Sequence, residues 1–106
     1  MALIRTGSST APKKIAAFTG YNESSSYYMY GVDNSGNNYP NNASAFTVTG
    51  LANVGAGTSS RVVTALVPLT AYVGNMSNAS VVTQHLNANE TYTFSFGTKT
   101  LLLIED

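Results

Sequence analysis

The side chains that could do acid–base or nucleophilic chemistry are few in this 106-residue chain. Its one histidine, His85, lies in the segment SVVTQHL and is far in sequence from Asp33. No Gly-x-Ser-x-Gly elbow precedes a helical pattern, so a Ser-His-Asp site has no support beyond the presence of those residue types. We therefore interpret His85 as a strand-surface or packing residue and predict that the protein is not an enzyme.

The carboxylates do not form a suggestive pair. Acid–base catalysis by two carboxyl groups requires that they flank one reacting bond. Only Glu105 and Asp106 are neighbours, and they are the last two residues of the sequence. The remaining acids are scattered along the chain, at Glu23, Asp33 and Glu90.

A calcium or cysteine site is also unsupported. Asp33, Ser35 and Asn37 have the alternate spacing of the first half of a calcium loop. The glycine and the bidentate glutamate that such a loop needs are replaced by Asn38 and Ser44. The chain has no cysteine, which excludes a thiolate nucleophile and a cysteine metal site. We predict no cofactor and no metal.

The elements that must position any site are predicted to be β-strands. Charged residues make up only 9% of the chain, against about 25% in typical proteins, and Ser, Thr, Asn and Gly supply the polarity. About seven or eight short strands are predicted, with turn signals every eight to twelve residues. This spacing is typical of an antiparallel β-sandwich, jelly-roll or immunoglobulin-like, with little or no helix. We assign residues 1–14 to an N-terminal strand or arm and residues 15–106 to the sandwich domain.

The most regular stretch is LNANETYTFSFGTKTLLLIED, residues 86–106. Residues 91–96 alternate, with Tyr92, Phe94 and Phe96 on one side, as in a half-buried strand. A short polar link then leads to a continuous apolar run, and we predict that the two strands form a hairpin. Such a run indicates that both faces of the last strand are covered, either by its own core and a loop or by another subunit. The candidate interface residues are Leu101, Leu102, Leu103 and Ile104.

Lys13 and Lys14, together with Arg5, place three of the five basic residues in the N-terminal segment. One interpretation is a cationic tether for an acidic partner surface, which makes the two lysines further candidate interface residues. The alternative is a solvated terminal segment, since termini are commonly mobile unless they are tied down.

Five of the seven tyrosines lie between residues 21 and 40, in or beside an Asn-rich stretch. A tyrosine ring has a flat apolar face and a polar tip, which suits core packing, a protein interface or stacking on a sugar. All three alternatives stay open. The candidate ligand or partner platform consists of Tyr27, Tyr28, Tyr30 and Tyr39.

Charge and hydropathy exclude several classes of partner. Five basic and five acidic residues cancel, so no long-range field attracts nucleic acid. No stretch reaches the roughly 18 apolar residues of a membrane span, and the N-terminus has no signal-peptide core. We therefore expect no membrane partner and no secretion. A low charge with zero net charge favours self-association, and we predict a homo-oligomer, either a trimer or a ring.

A cysteine-free, helix-poor, nearly uncharged β domain with Ser/Thr/Asn-rich loops and this ending resembles the small accessory structural proteins of tailed bacteriophages. These are capsid decoration, head-fibre and tail accessory proteins. The resemblance covers the whole chain in style and carries over no site residues. It implies a virion protein that is made in the host bacterial cytoplasm and contacts other virion proteins. The alternative function is a carbohydrate-binding module that uses the tyrosine-rich loop face, with host-surface glycans as partners.

Overall fold

The computed structural model describes residues 7–8, 10–21, 31–32, 38–39, 43–46, 50–74 and 81–106. These residues form strands joined by turns and include no helix, so none of them belongs to a helix that could cross a membrane. The strands are Lys13–Tyr21 (β1), Gly31–Val32 (β2), Asn38–Tyr39 (β3), Ala43–Phe46 (β4), Ala52–Val54 (β5), Ser60–Ala65 (β6), Leu69–Gly74 (β7), Val81–Leu86 (β8), Thr91–Ser95 (β9) and Thr100–Glu105 (β10).

Two sheets of unequal width face each other. The larger has the order β3-β2-β1-β10-β7-β8, and β4 pairs with a second stretch of β1. The smaller has the order β5-β6-β9. All pairings are antiparallel except the short one between β1 and β2. Strand β10 lies between β1 and β7. Its apolar side chains are buried on both faces of the sheet, which agrees with its unbroken apolar sequence.

The hydrophobic core lies between the sheets and takes alternate residues from the strands whose side chains are described. This follows from the period-2 geometry of strands, which directs every second side chain inward. Burial of each large apolar side chain contributes roughly 1.5–3 kcal/mol. The all-β sandwich prediction is confirmed at this level. The main contributors are Phe18, Leu69, Leu101 and Leu103 from the larger sheet and Leu51, Val63, Phe94 and Phe96 from the smaller one.

The predicted hairpin of the last two strands is wrong. β9 pairs with β6, whereas β10 pairs with β1 and β7, so the link between them crosses from one sheet to the other. The N–H groups of Phe96 and Gly97 both donate to the Ser59 carbonyl, which keeps the end of β9 in the smaller sheet. Gly97 then turns the chain with a φ of 57°, a conformation that glycine adopts readily. Alternation identified β9 and the apolar run identified β10, but neither pattern could identify the strands with which they pair.

One predicted boundary also differs from the structure. β1 begins at Lys13 rather than residue 15, so the last two residues of the proposed arm belong to the sheet. The Asn-rich stretch beside the tyrosines contains the two-residue strand β3, which pairs with β2. Two-residue strands carry too few side chains to show a periodic pattern.

Candidate functional site

The four apolar residues of β10 are not available as a subunit interface. Leu101, Leu102 and Leu103 are 0% exposed and Ile104 is 4% exposed within a single chain. Leu101 and Leu103 point into the core between the sheets, and Leu102 and Ile104 are buried on the opposite face. The chain itself therefore covers both faces of this strand, and these residues have no surface left for a partner.

Lys13 and Lys14 are part of the larger sheet and do not extend from it as an arm. They pair with Gly31 and Val32 of β2, and the Lys14 N–H donates to the Glu105 carboxylate at 3.0 Å. Both residues are half-buried. Their backbone is fixed, so a cationic tether would have to be formed by the side chains alone.

The tyrosine platform lies mostly outside the described residues. Tyr27, Tyr28 and Tyr30 are not described, and of Tyr39 only the backbone is described, in β3. The calcium-like residues at positions 33, 35 and 37 are also outside the described part. The tyrosine platform therefore stays a prediction, and so does the expectation that positions 33, 35 and 37 hold no calcium ion.

Of the two positions predicted for His85, strand surface or packing, the structure shows the first: His85 is exposed on β8. It also has a partner that the sequence did not reveal. Its Nε2 atom lies 2.5 Å from Asp106 Oδ2. The hydroxyl of Thr70 donates to the other oxygen of the same carboxylate at 2.8 Å, and the Asp106 N–H donates to the Pro68 carbonyl at 3.0 Å. These contacts bind Asp106, the last residue of the sequence, to the neighbouring strands β7 and β8.

Chemically, this cluster orients a carboxylate and does not activate a nucleophile. The Thr70 proton is directed at Asp106, so the threonine oxygen is not bonded to the histidine that would have to deprotonate it. No group of three His, Asp or Glu side chains that could hold a metal ion occurs in the described part of the chain. We interpret the His85–Asp106 pair as a structural contact.

The negative charge of Asp106 also affects Tyr72, which follows Thr70 and Ala71 on β7. Burial raises the pKa of the Tyr72 hydroxyl above 10.0, and the nearby Asp106 carboxylate raises it further. Both effects disfavour the phenolate, the first by removing water and the second by like-charge repulsion. Tyr72 therefore stays neutral well into the alkaline range.

A groove lies at one side of the sandwich, between β7 and β8 of the larger sheet and β9 of the smaller one. Its volume is about 720 Å³. Among the described strands, β8 and β9 are the last strands of their sheets on this side. The inner wall is formed by Val73, Phe94 and Phe96, and Val82, Gln84 and Tyr92 lie toward the opening.

Two large apolar side chains at this groove are exposed to solvent. Val82 is 71% exposed and Tyr92 is 45% exposed. The ring of Tyr92 lies beside that of the buried Phe94, with centroids 4.7 Å apart. Because the exposed ring of Tyr92 contacts a buried ring, the apolar interior is continuous with the protein surface at this point. We call this surface, with the groove and the outer edges of β8 and β9, the open side.

The two ends of the open side carry opposite charges. At one end, the turn at residues 87–90 links β8 to β9, and Glu90 Oε1 accepts a hydrogen bond from the Asn87 N–H at 2.7 Å. At the other end, Lys99 lines the groove, and its N–H donates to the Phe96 carbonyl. Both side chains are exposed, so their charges are available to a partner.

The residue pattern did not reveal the open side as a site. Alternation places Tyr92, Phe94 and Phe96 on one face, but it does not show that β9 is the last strand of its sheet or that Tyr92 is exposed. One signal was present: SVVTQHL contains no lysine, glutamate or proline, the residues that usually protect an outer strand.

Comparison of the chain with known proteins finds no matching family model, no similar curated protein and no similar solved structure. The geometry of the described residues therefore has to support the functional proposal.

Proposed function

We propose that this chain is a non-enzymatic structural protein that acts by assembling with copies of itself and with other proteins, as a capsid decoration or tail accessory subunit of a virion does. The open side is the observation that carries the proposal. There Val82, a large apolar residue, is 71% exposed beside a groove of about 720 Å³ on an uncharged outer strand. Apolar surface of this kind is typical of protein interaction sites.

The composition supports assembly over a free monomer. The net charge is zero and only 9% of residues are charged, so copies approaching one another experience little repulsion. The virion assignment is supported by the resemblance of the sequence to phage accessory proteins. The proposal keeps two predictions from the sequence, a trimeric or ring-shaped oligomer and a jelly-roll or immunoglobulin-like strand order.

The experiment is the native mass of the purified protein, measured by light scattering across a concentration series. An oligomer of fixed size, or one that forms as the concentration rises, is the expected result. A monomer at every concentration would contradict the proposal.

Carbohydrate binding is the second candidate, and Tyr92 is the observation that favours it. The half-exposed ring of Tyr92 and the amide of Gln84 line the same groove, and its volume is within the range of small-ligand sites. The Tyr92 ring could stack on a sugar ring, and the Gln84 amide could form hydrogen bonds with the hydroxyl groups of the sugar. The test is a glycan array, in which the native chain binds and Tyr92→Ala does not. Equal binding by both would exclude this site.

A further inference from the structure

The two strands at the open side lack the protection that outer strands of natural sheets usually have. Among the described strands, β8 pairs only with β7 and β9 only with β6. Across the eleven residues of Val81–Leu86 and Thr91–Ser95 there is no lysine, acid or proline, and His85 is the one titratable side chain other than Tyr92. Unpaired, uncharged strand edges are templates for pairing with another chain.

The charges at the ends of the open side determine which orientation of a partner strand fits. Glu90 directly precedes β9 and Lys99 follows it after the turn. A five-residue strand is about 17 Å long, so the two charges lie well apart at opposite ends of one edge. A second copy placed antiparallel brings the Glu90 end of each chain to the Lys99 end of the other. A parallel placement would bring like charges together.

We propose that a second copy of this chain docks on the open side around a two-fold axis, with β8 and β9 each pairing antiparallel to its counterpart. This inference rests on the proposed function, because it names the partner in the self-assembly, and it puts a two-fold dimer in place of the trimer or ring expected from the sequence. A two-fold contact uses the same surface on both copies, and the open side is complementary to itself in charge. Val82 and Tyr92 of each copy then cover the groove of the other.

The contributions to this contact differ in kind. Main-chain hydrogen bonds and burial of Val82 and Tyr92 supply the affinity, as in other complexes formed by strand addition. The exposed Glu90–Lys99 pairs add little affinity and set the orientation, since charged groups at the rim of an interface act mainly on specificity. Reversal of one charge should therefore weaken the dimer, and a second reversal should restore it.

The test uses charge reversal in the full chain, with the dissociation constant of the dimer measured by sedimentation at low salt. Glu90→Lys and Lys99→Glu should each raise the constant about tenfold, because each replaces two attractive contacts by two repulsive ones. The variant with both changes should return to within about threefold of the native value. A mixture of the two single variants should form a dimer of near-native affinity, since both contacts are then attractive again.

Two controls separate charge from folding. Lys13→Glu reverses a cation on β1, several strands away from β8, and should leave the constant unchanged. Glu90→Lys removes the hydrogen bond from the Asn87 N–H, but the doubly changed variant loses the same bond, so its restored affinity can come only from the charges. Thermal unfolding of each variant confirms that it is folded.

The outcomes distinguish this inference from the proposed function. A stable trimer, or an oligomer that ignores both reversals, would overturn the two-fold pairing and leave the structural role intact. Single variants that weaken the dimer without restoration in the double variant or the mixture would also overturn it. If the native chain were monomeric at every concentration, both the proposed function and the two-fold pairing of the open side would be contradicted.

Discussion

At the scale of single residues, Asp106 joins His85 of β8 and Thr70 of β7 in one polar cluster. The sequence predicted a strand-surface or packing role for His85, and the structure places it at the surface. Its partner lies 21 residues away, and the two meet only because β8 and β10 both flank β7 in a particular register. Register depends on tertiary packing, so residue types alone could not predict this pair.

Tyr72 provides a test of this local electrostatics. Its pKa is raised, chiefly by burial and secondly by Asp106. A group with a raised folded pKa stabilises the fold below its unfolded pKa, and this contribution is lost as the pH rises through the folded pKa. We expect the free energy of unfolding to fall as the pH rises above 10.0, and to fall less in Tyr72→Phe. Urea unfolding across the alkaline range measures both.

Asp106→Asn is the matched control for Tyr72. It removes the negative charge of Asp106, which is the smaller cause of the raised pKa, and leaves Tyr72 buried. The pKa of Tyr72 should therefore move only part of the way back to its ordinary value. If the free energy of unfolding fell equally with rising pH in the native chain and in Tyr72→Phe, Tyr72 would have no role in the alkaline loss of stability.

At the scale of elements, β10 decides the architecture. Its apolar run predicted a strand covered on both faces and left open whether the cover came from the chain or from a partner. The structure shows that the chain itself provides it. The position of β9 followed from alternation and that of β10 from its apolar run, whereas the β9–β10 hairpin prediction failed because adjacency in sequence does not determine which strands pair.

Leucine substitutions distinguish a core strand from an interface strand. Leu103→Ala should lower the free energy of unfolding by about 2–5 kcal/mol, because a fully buried leucine leaves a cavity. Leu66→Ala is the matched control, since Leu66 is 39% exposed and should cost well under half as much. Urea unfolding at two protein concentrations provides the measurement. A loss for Leu103→Ala that appeared only at the concentrations where the protein is an oligomer would mean that the strand lies at an interface.

At the scale of the whole molecule, the open side lies where β8 and β9, each paired with a single strand among those described, flank an apolar groove. The chain has no cysteine and therefore no disulfide, and a packed core lies between its sheets. The location of the exposed apolar surface could not be predicted, because it depends on how many strands join each sheet. Tyr92 shows this directly: its alternation with Phe94 and Phe96 predicts burial, and the narrow sheet leaves it 45% exposed.

The most direct test of assembly through the open side is the native mass of Val82→Asp beside that of Val62→Asp, by light scattering at one concentration where the native chain is an oligomer. Both valines are exposed, Val82 at 71% and Val62 at 48%, but Val62 lies on the outer face of the smaller sheet, next to Thr93. A charge buried in an interface without a partner is strongly unfavourable. We predict that Val82→Asp is a folded monomer and that Val62→Asp keeps the native mass. An unchanged oligomer for Val82→Asp would contradict assembly through the open side.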